Sequence, residues 1–203
     1  MIQQIICLTG KMAAGKNSVA DILERRGGLA CVDFDRLVHK AIEEKTEQII
    51  AAFSAEAEEK NIVLSKPDGT LNRRALGRLI FGNAELVARQ ESIVYPLVKQ
   101  MAKDFVLSHK NQNIVFNATV LYKIPELMQM CSSILFVDSP LLTRLLRAKK
   151  RDKSTYFLIL KRFAAQKKLL GFYKSTGIPL YKISNSSNLK TLEKKVLHIP
   201  AIF

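Results

Sequence analysis

Gly10-Lys11-Met12-Ala13-Ala14-Gly15-Lys16-Asn17-Ser18 is the stretch on which the reading of this chain turns. It follows the apolar run Ile5 to Leu8 and opens into a segment of helical period that starts near Asn17. A glycine-containing turn between a strand and a helix lets successive backbone N–H groups bend toward one point, and the helix start adds positive potential there. The spacing from Gly10 to Lys16 is nearly that of the Walker A phosphate loop, in which the lysine reaches the terminal phosphates of a nucleotide. Gly10, Ala13, Ala14, Gly15, Lys16, Asn17 and Ser18 are therefore candidate nucleotide ligands, and Lys16 is also a candidate catalytic group. The pattern asks for serine or threonine after the lysine, because that hydroxyl ligates magnesium. Asn17 holds the position here, offering a carbonyl oxygen to a hard cation, with Ser18 next to it.

Outward from the loop, short apolar runs alternate with longer stretches of helical period, the sequence form of repeated βα units around a parallel sheet. The strand candidates are Ile5 to Leu8, Leu29 to Val32, Ile114 to Phe116, Ile134 to Val137 and Leu180 to Ile183. Each is short and mostly free of charge, as suits strands covered on both faces by helices. Residues 33–113 contain no convincing strand, far more chain than the dozen or so residues one crossover requires. A helical insertion is expected there. Its middle carries the turn Pro67-Asp68-Gly69-Thr70, then apolar Leu71, Ala75, Leu76, Leu79 and Ile80 at helical spacing, with Arg73, Arg74 and Arg78 on the same helix. Gly171 to Pro179 reads as the most loop-like piece.

The whole fits one unit: a nucleotide-binding core of 1–36, 110–140 and 178–203, an acceptor-binding insertion over 37–109, and a lid over 141–177. The fold class is α/β, a three-layer P-loop NTPase-type architecture with a five-stranded parallel sheet. A chain of 203 residues with 48% hydrophobic residues has the material for such a core. No apolar run approaches the roughly 20 residues needed to cross a bilayer, and no secretion leader is evident, so the cytoplasm is the expected compartment. Cys7, Cys31 and Cys131 are widely spaced, which suits reduced buried thiols rather than a disulfide framework or a zinc site. His39, His109 and His198 have no metal-ligand spacing. The net charge of +14, from 32 basic and 18 acidic side chains, favours phosphate-rich partners. A nucleic-acid partner is not expected, because no reading motif or set of stacking aromatics accompanies the charge.

Two further constellations bear on chemistry. Asp33-Phe34-Asp35 ends the second strand candidate, and carboxylates at strand spacing would point the same way. One can accept the proton of an attacking hydroxyl while the other helps hold hydrated magnesium, giving Asp35 and Asp33 candidate roles beside Asn17 and Ser18. Arg144, Arg147 and Arg151 lie at i, i+3 and i+7, on one face of the helix after the fourth strand, where one or more can neutralise charge on a transferred phosphoryl group. A helix cap at Asp35 and a solvated basic face at the arginines are the plainer alternatives.

The order of parts resembles that of the dephospho-coenzyme A kinases. The resemblance rests on Leu8-Thr9-Gly10, Val32-Asp33-Phe34-Asp35, Asp68-Gly69-Thr70-Leu71-Asn72-Arg73-Arg74-Ala75-Leu76, Ile80-Phe81, Tyr95-Pro96, Arg151-Asp152, Gln166 and Asn185, and it runs from about Ile5 to Leu197. It implies a P-loop kinase that uses ATP and magnesium to phosphorylate the ribose 3′-hydroxyl of dephospho-coenzyme A. On that resemblance Asp35 is the general base, Arg151 meets the phosphates, Arg147 and Asn185 bind the nucleotide, and Asp33, Arg73, Arg74 and Tyr95 receive the acceptor. Departures are visible. Phe116-Asn117-Ala118-Thr119-Val120-Leu121-Tyr122-Lys123 stands where the family usually has Asp-Ala-Pro-Leu-Leu-Phe-Glu, Tyr95 replaces a histidine, and the loop lacks a glycine and the metal-binding hydroxyl. Two other readings stay open: a kinase for another nucleotide-like acceptor, and a nucleotide- or coenzyme-binding protein with little turnover.

Overall fold

The computed structural model describes residues 3–152 and 154–199. Its five strands are β1 (Ile5–Gly10), β2 (Ala30–Asp33), β3 (Ile114–Asn117), β4 (Ser133–Asp138) and β5 (Leu180–Ser184), and all pair in parallel in the order β2-β3-β1-β4-β5. All five expected strands form. β1 and β3 are buried along their whole length, whereas the edge strands β2 and β5 are partly exposed, which is why the central runs carry no charge and Lys182 sits in β5.

The chain divides into two compact units, Met1–Asp33 with Phe105–Phe203, and Phe34–Asp104. In the first, α1 (Lys16–Gly27) turns Val19, Ile22 and Leu23 toward the sheet and toward Leu192 and Val196 of α11 (Leu189–Leu197). Gly28, in the left-handed conformation, ends α1, its N–H bonding the Leu23 carbonyl. A 3-10 turn (Leu121–Lys123) and the short helix α7 (Pro125–Gln129) lead from β3 to β4. After β4 come three helices, α8 (Leu141–Asp152), α9 (Tyr156–Ala165) and α10 (Leu169–Lys174). The piece expected as loop from Gly171 thus begins inside a helix. Tyr173 is fully buried there, and burial of so large a ring outweighs the weak helix propensity of Gly171.

The second unit is helical: α2 (Phe34–Glu44), α3 (Thr46–Ala52), α4 (Ser54–Glu59), α5 (Arg73–Ile80) and most of α6 (Ala84–Ser108), which carries Pro96 in its interior. The turn before α5 forms as its residues dictate. Asp68 Oδ1 accepts from the Thr70 N–H at 3.0 Å, Gly69 takes φ +78°, and the Asn72 side chain caps α5 by accepting from the Ala75 N–H. Among the described residues, no helix is long and apolar enough to cross a membrane.

Candidate nucleotide site

The loop from Gly10 to Gly15 leaves the C-terminal end of β1, the middle strand of the sheet. A Cβ on Gly10 would lie 2.2 Å from the Val137 carbonyl oxygen of β4, so only glycine allows the two strands to run this close. Gly15 takes φ +95°, and a Cβ there would fall 2.1 Å from Asn185 Nδ2. Ala13 adopts φ +60° although it has a Cβ, the mark of the glycine missing from the loop.

Side chains from behind take up the loop carbonyls. Arg144 Nε donates to the Met12 carbonyl at 2.9 Å, while Asn185 Nδ2 and Arg147 Nη1 donate to that of Ala14 at 2.9 and 3.4 Å. Gln166 Oε1 accepts from the Met12 N–H at 2.6 Å. The Met12 N–H is thus engaged, and that of Ala14 donates to the Lys11 carbonyl at 3.1 Å, which leaves the amides at the start of α1 as the ones a turn of this kind offers to phosphate. Arg144 is buried, its guanidinium 4.2 Å over the Phe163 ring, with Nη2 unpartnered among the described residues. Burial lowers its pKa, partly offset by Asp138. Arg144 thus supports the loop from beneath.

The cations divide by partner. Lys16 Nζ donates to Thr119 Oγ1 at 2.9 Å, and Lys11 pairs with Asp138 at 3.0 Å. Thr119 is fixed through its carbonyl, which accepts from Thr9 Oγ1 at 3.2 Å and from the Tyr173 hydroxyl at 3.1 Å. The same hydroxyl accepts from the Leu121 N–H at 2.9 Å, and burial pushes its pKa well up, keeping it protonated. Asn117, at the end of β3, donates from Nδ2 to Asn17 Oδ1 at 3.2 Å. Its register partner on β2 is Asp33.

Arg147 and Asn185 also line a cavity of about 230 Å³ with Gly15, Ser18, Ser187 and Leu189. The structure therefore brings Gly15, Ser18, Arg147 and Asn185 together around one cavity. Arg151 grips the neighbouring Asp152 through Nε and Nη2 at 2.6 and 3.2 Å, and Arg162 reaches the same carboxylate at 3.4 Å. Of the three arginines on one face, Arg144 and Arg147 thus both hold loop carbonyls, and Arg151 grips Asp152.

The strand spacing expected for Asp33 and Asp35 does not hold. β2 ends at Asp33 and α2 begins at Phe34, so Asp35 lies in the first turn of a helix, where a carboxylate meets the positive helix end. Arg73 and Arg74 open α5, Arg73 reaching Glu43 at 4.0 Å, and Tyr95 lies in α6. Thr119, Asn117 and Tyr173 were not singled out from sequence as functional. Only the position of Asn117 and Thr119 in the altered segment could have drawn attention to them.

The family model described as dephospho-CoA kinase matches residues 4–170. Among curated proteins, the dephospho-CoA kinase of Treponema pallidum is 31% identical over 198 residues, covering 95% of this chain and 92% of that protein. The dephospho-CoA kinase of Treponema denticola is 30% identical over 95% of this chain and 87% of its own length. Among solved structures, a Thermus thermophilus protein superposes with a TM-score of 0.78 at 26% identity, covering 97% of each chain. The dephospho-CoA kinase of Campylobacter jejuni, at 17% identity and a TM-score of 0.63, shares the fold.

Proposed function

The chain belongs to the dephospho-CoA kinase family, and from that premise we propose that it moves the γ-phosphate of ATP to the ribose 3′-hydroxyl of dephospho-coenzyme A, the last step of coenzyme A synthesis. The observation that supports this most is the loop between β1 and α1, its carbonyls held by Arg144, Arg147 and Asn185 and Lys16 at the helix start.

The N–H groups at the start of α1 bind the β- and γ-phosphates, and Lys16 exchanges Thr119 Oγ1 for a phosphate oxygen. Arg147, Asn185 and Ser18 line the cavity that takes the rest of the nucleotide. Arg73, Arg74, Tyr95 and Asp33 receive the acceptor, a small molecule rather than a nucleic acid. Asp35 takes the 3′-hydroxyl proton as the oxygen bonds to the γ-phosphorus and the bond from that phosphorus to the β–γ bridging oxygen breaks, releasing ADP. Arg151 leaves Asp152 to neutralise the charge that spreads over the phosphoryl oxygens. Positioning and electrostatics carry such a transfer, since it asks for little covalent help. The compartment is the cytoplasm.

Magnesium would travel on the phosphate oxygens. Asn17, Ser18 and Asp33 are the residues proposed to meet it, but they do not fit a closely held ion. The Asn17 side-chain oxygen already accepts from Asn117, and the hydroxyl that ligates magnesium in loops of this pattern is replaced at position 17 by this amide.

Purified protein incubated with ATP and dephospho-coenzyme A should yield coenzyme A. Asp35→Asn should slow it by about 100-fold or more without weakening ATP binding, and Lys16→Ala should weaken both. Full activity in Asp35→Asn would remove that residue as the base. The Asn17–Asn117 contact favours a second reading, nucleotide binding with slow transfer; a sharp rate gain in Asn17→Thr would support it.

A further inference from the structure

Two departures from the family pattern, 100 positions apart in sequence, touch at the phosphate loop. Asn17 stands where such loops carry the hydroxyl that ligates magnesium, and Asn117 lies in the segment Phe116 to Lys123, where the kinases this sequence resembles usually begin with an aspartate. A hydroxyl and a carboxylate side by side make an ion site, because both present hard oxygens and one is anionic. Two carboxamides make a neutral contact: the Asn117 Nδ2 group donates to Asn17 Oδ1 at 3.2 Å, taking up one lone pair of that oxygen and bringing an N–H rather than an anionic oxygen beside it. Asn117 is 6% exposed, so breaking the contact strands a buried amide, and the pair resists rearrangement around an ion.

We propose that this chain grips the triphosphate of its nucleotide with protein cations and amides alone, the Asn17–Asn117 pair standing in for the metal-holding pair, so that ATP binds about equally well with and without magnesium. The proposal rests on the ATP reading above. A carboxylate at position 117 would repel a bare triphosphate and make a divalent ion a necessary bridge, whereas an amide removes that repulsion. Lys16 is at hand, and Arg147 lies within 3.4 Å of the Ala14 carbonyl. Lys11 adds a charge that Asp138 matches at 3.0 Å, and Asp33 stands across from Asn117 in the sheet as an opposing one.

Isothermal titration of ATP into the full chain, in magnesium and in EDTA, decides it. A bridging ion couples two binding events by about 5- to 150-fold. The wild-type dissociation constants should differ by less than about threefold, and Asn17→Thr/Asn117→Asp should weaken at least about tenfold in EDTA and recover in magnesium. A wild-type loss of about tenfold or more in EDTA would overturn the proposal, as would a folded double variant that stays indifferent to metal. The wild-type comparison needs no variant to fold. Product formation, measured in parallel, separates the two claims. Metal-indifferent ATP binding without coenzyme A formation overturns the kinase reading alone. Coenzyme A formation with metal-dependent ATP binding overturns the inference alone, and no ATP binding in either buffer overturns both.

Discussion

Gly15→Ala probes the contacts that hold the β1–α1 loop. Gly15 takes φ +95°, and the added Cβ would sit 2.1 Å from Asn185 Nδ2 and 3.7 Å from Arg147 Nη1. Two costs add. A Cβ in left-handed backbone costs about 1–2 kcal/mol. Asn185 is buried, so its amide has no solvent to withdraw into, and giving up the 2.9 Å bond to the Ala14 carbonyl costs about 1–3 kcal/mol more. Gly28→Ala is the matched control: φ is +66°, and nothing lies within 4 Å of the new Cβ, so it carries the backbone cost alone. In a chain of this size each kcal/mol moves the melting temperature by about 2–4 °C. Gly15→Ala should therefore melt about 2–12 °C below Gly28→Ala in a calorimetric scan. It should also bind ATP more weakly, because Asn185 and Arg147 line the adjoining cavity, whereas Gly28→Ala keeps wild-type affinity. Equal melting temperatures and equal ATP affinities for the two variants would refute the close approach of Asn185 and the role given to it.

Tyr173→Phe removes the hydroxyl that accepts from the Leu121 N–H, stranding that buried group at about 1–3 kcal/mol while Thr9 Oγ1 still reaches the Thr119 carbonyl; calorimetry should show a melting point lower by several degrees, and hydrogen exchange should show Leu121 losing protection. Ala13→Gly relieves the Cβ held at φ +60° and loosens the unfolded chain by less, so urea unfolding should show a gain of about 0.5–1 kcal/mol. The hydrogen bond from Arg151 holds the Asp152 carboxyl below its ordinary pKa. Its stabilising contribution is complete above the unfolded value of about 3.9 and is lost as pH falls through the folded one. The melting-temperature gap between wild type and Asp152→Asn should hold from neutral pH to about 4 and close below it. A gap unchanged into strong acid would disprove the pairing.

Local chemistry made much of the molecule readable. Ile5 to Leu8 and Ile134 to Val137 are apolar because both faces of a central parallel strand are covered, and Gly10 and Gly15 mark the tight turn between β1 and α1 within nine residues of chain. Strand order was not readable, since it depends on where each crossover returns. Asp35 misled because alternation assumes that a strand continues, and the strand gives way to helix one residue earlier, at Phe34. Gly171 suggested a loop because its propensity is local, whereas the burial of Tyr173 is a tertiary fact. Arg144, Arg147 and Arg151 shared a helix face in sequence, yet Arg144 and Arg147 hold loop carbonyls, Arg147 lining the cavity as well, and Arg151 holds Asp152. The contacts of Lys16 with Thr119, Met12 with Gln166 and Asn17 with Asn117 join residues more than 99 positions apart, a separation no periodicity reports.

The central claim is that the loop closed by Lys16 delivers a phosphoryl group to a ribose hydroxyl. ATP labelled in its γ-phosphate, incubated with the protein and dephospho-coenzyme A, tests it most directly. The label should appear at the 3′ position of coenzyme A with wild type and be absent with Lys16→Ala. Label released only as inorganic phosphate, or transferred equally well by Lys16→Ala, would contradict it.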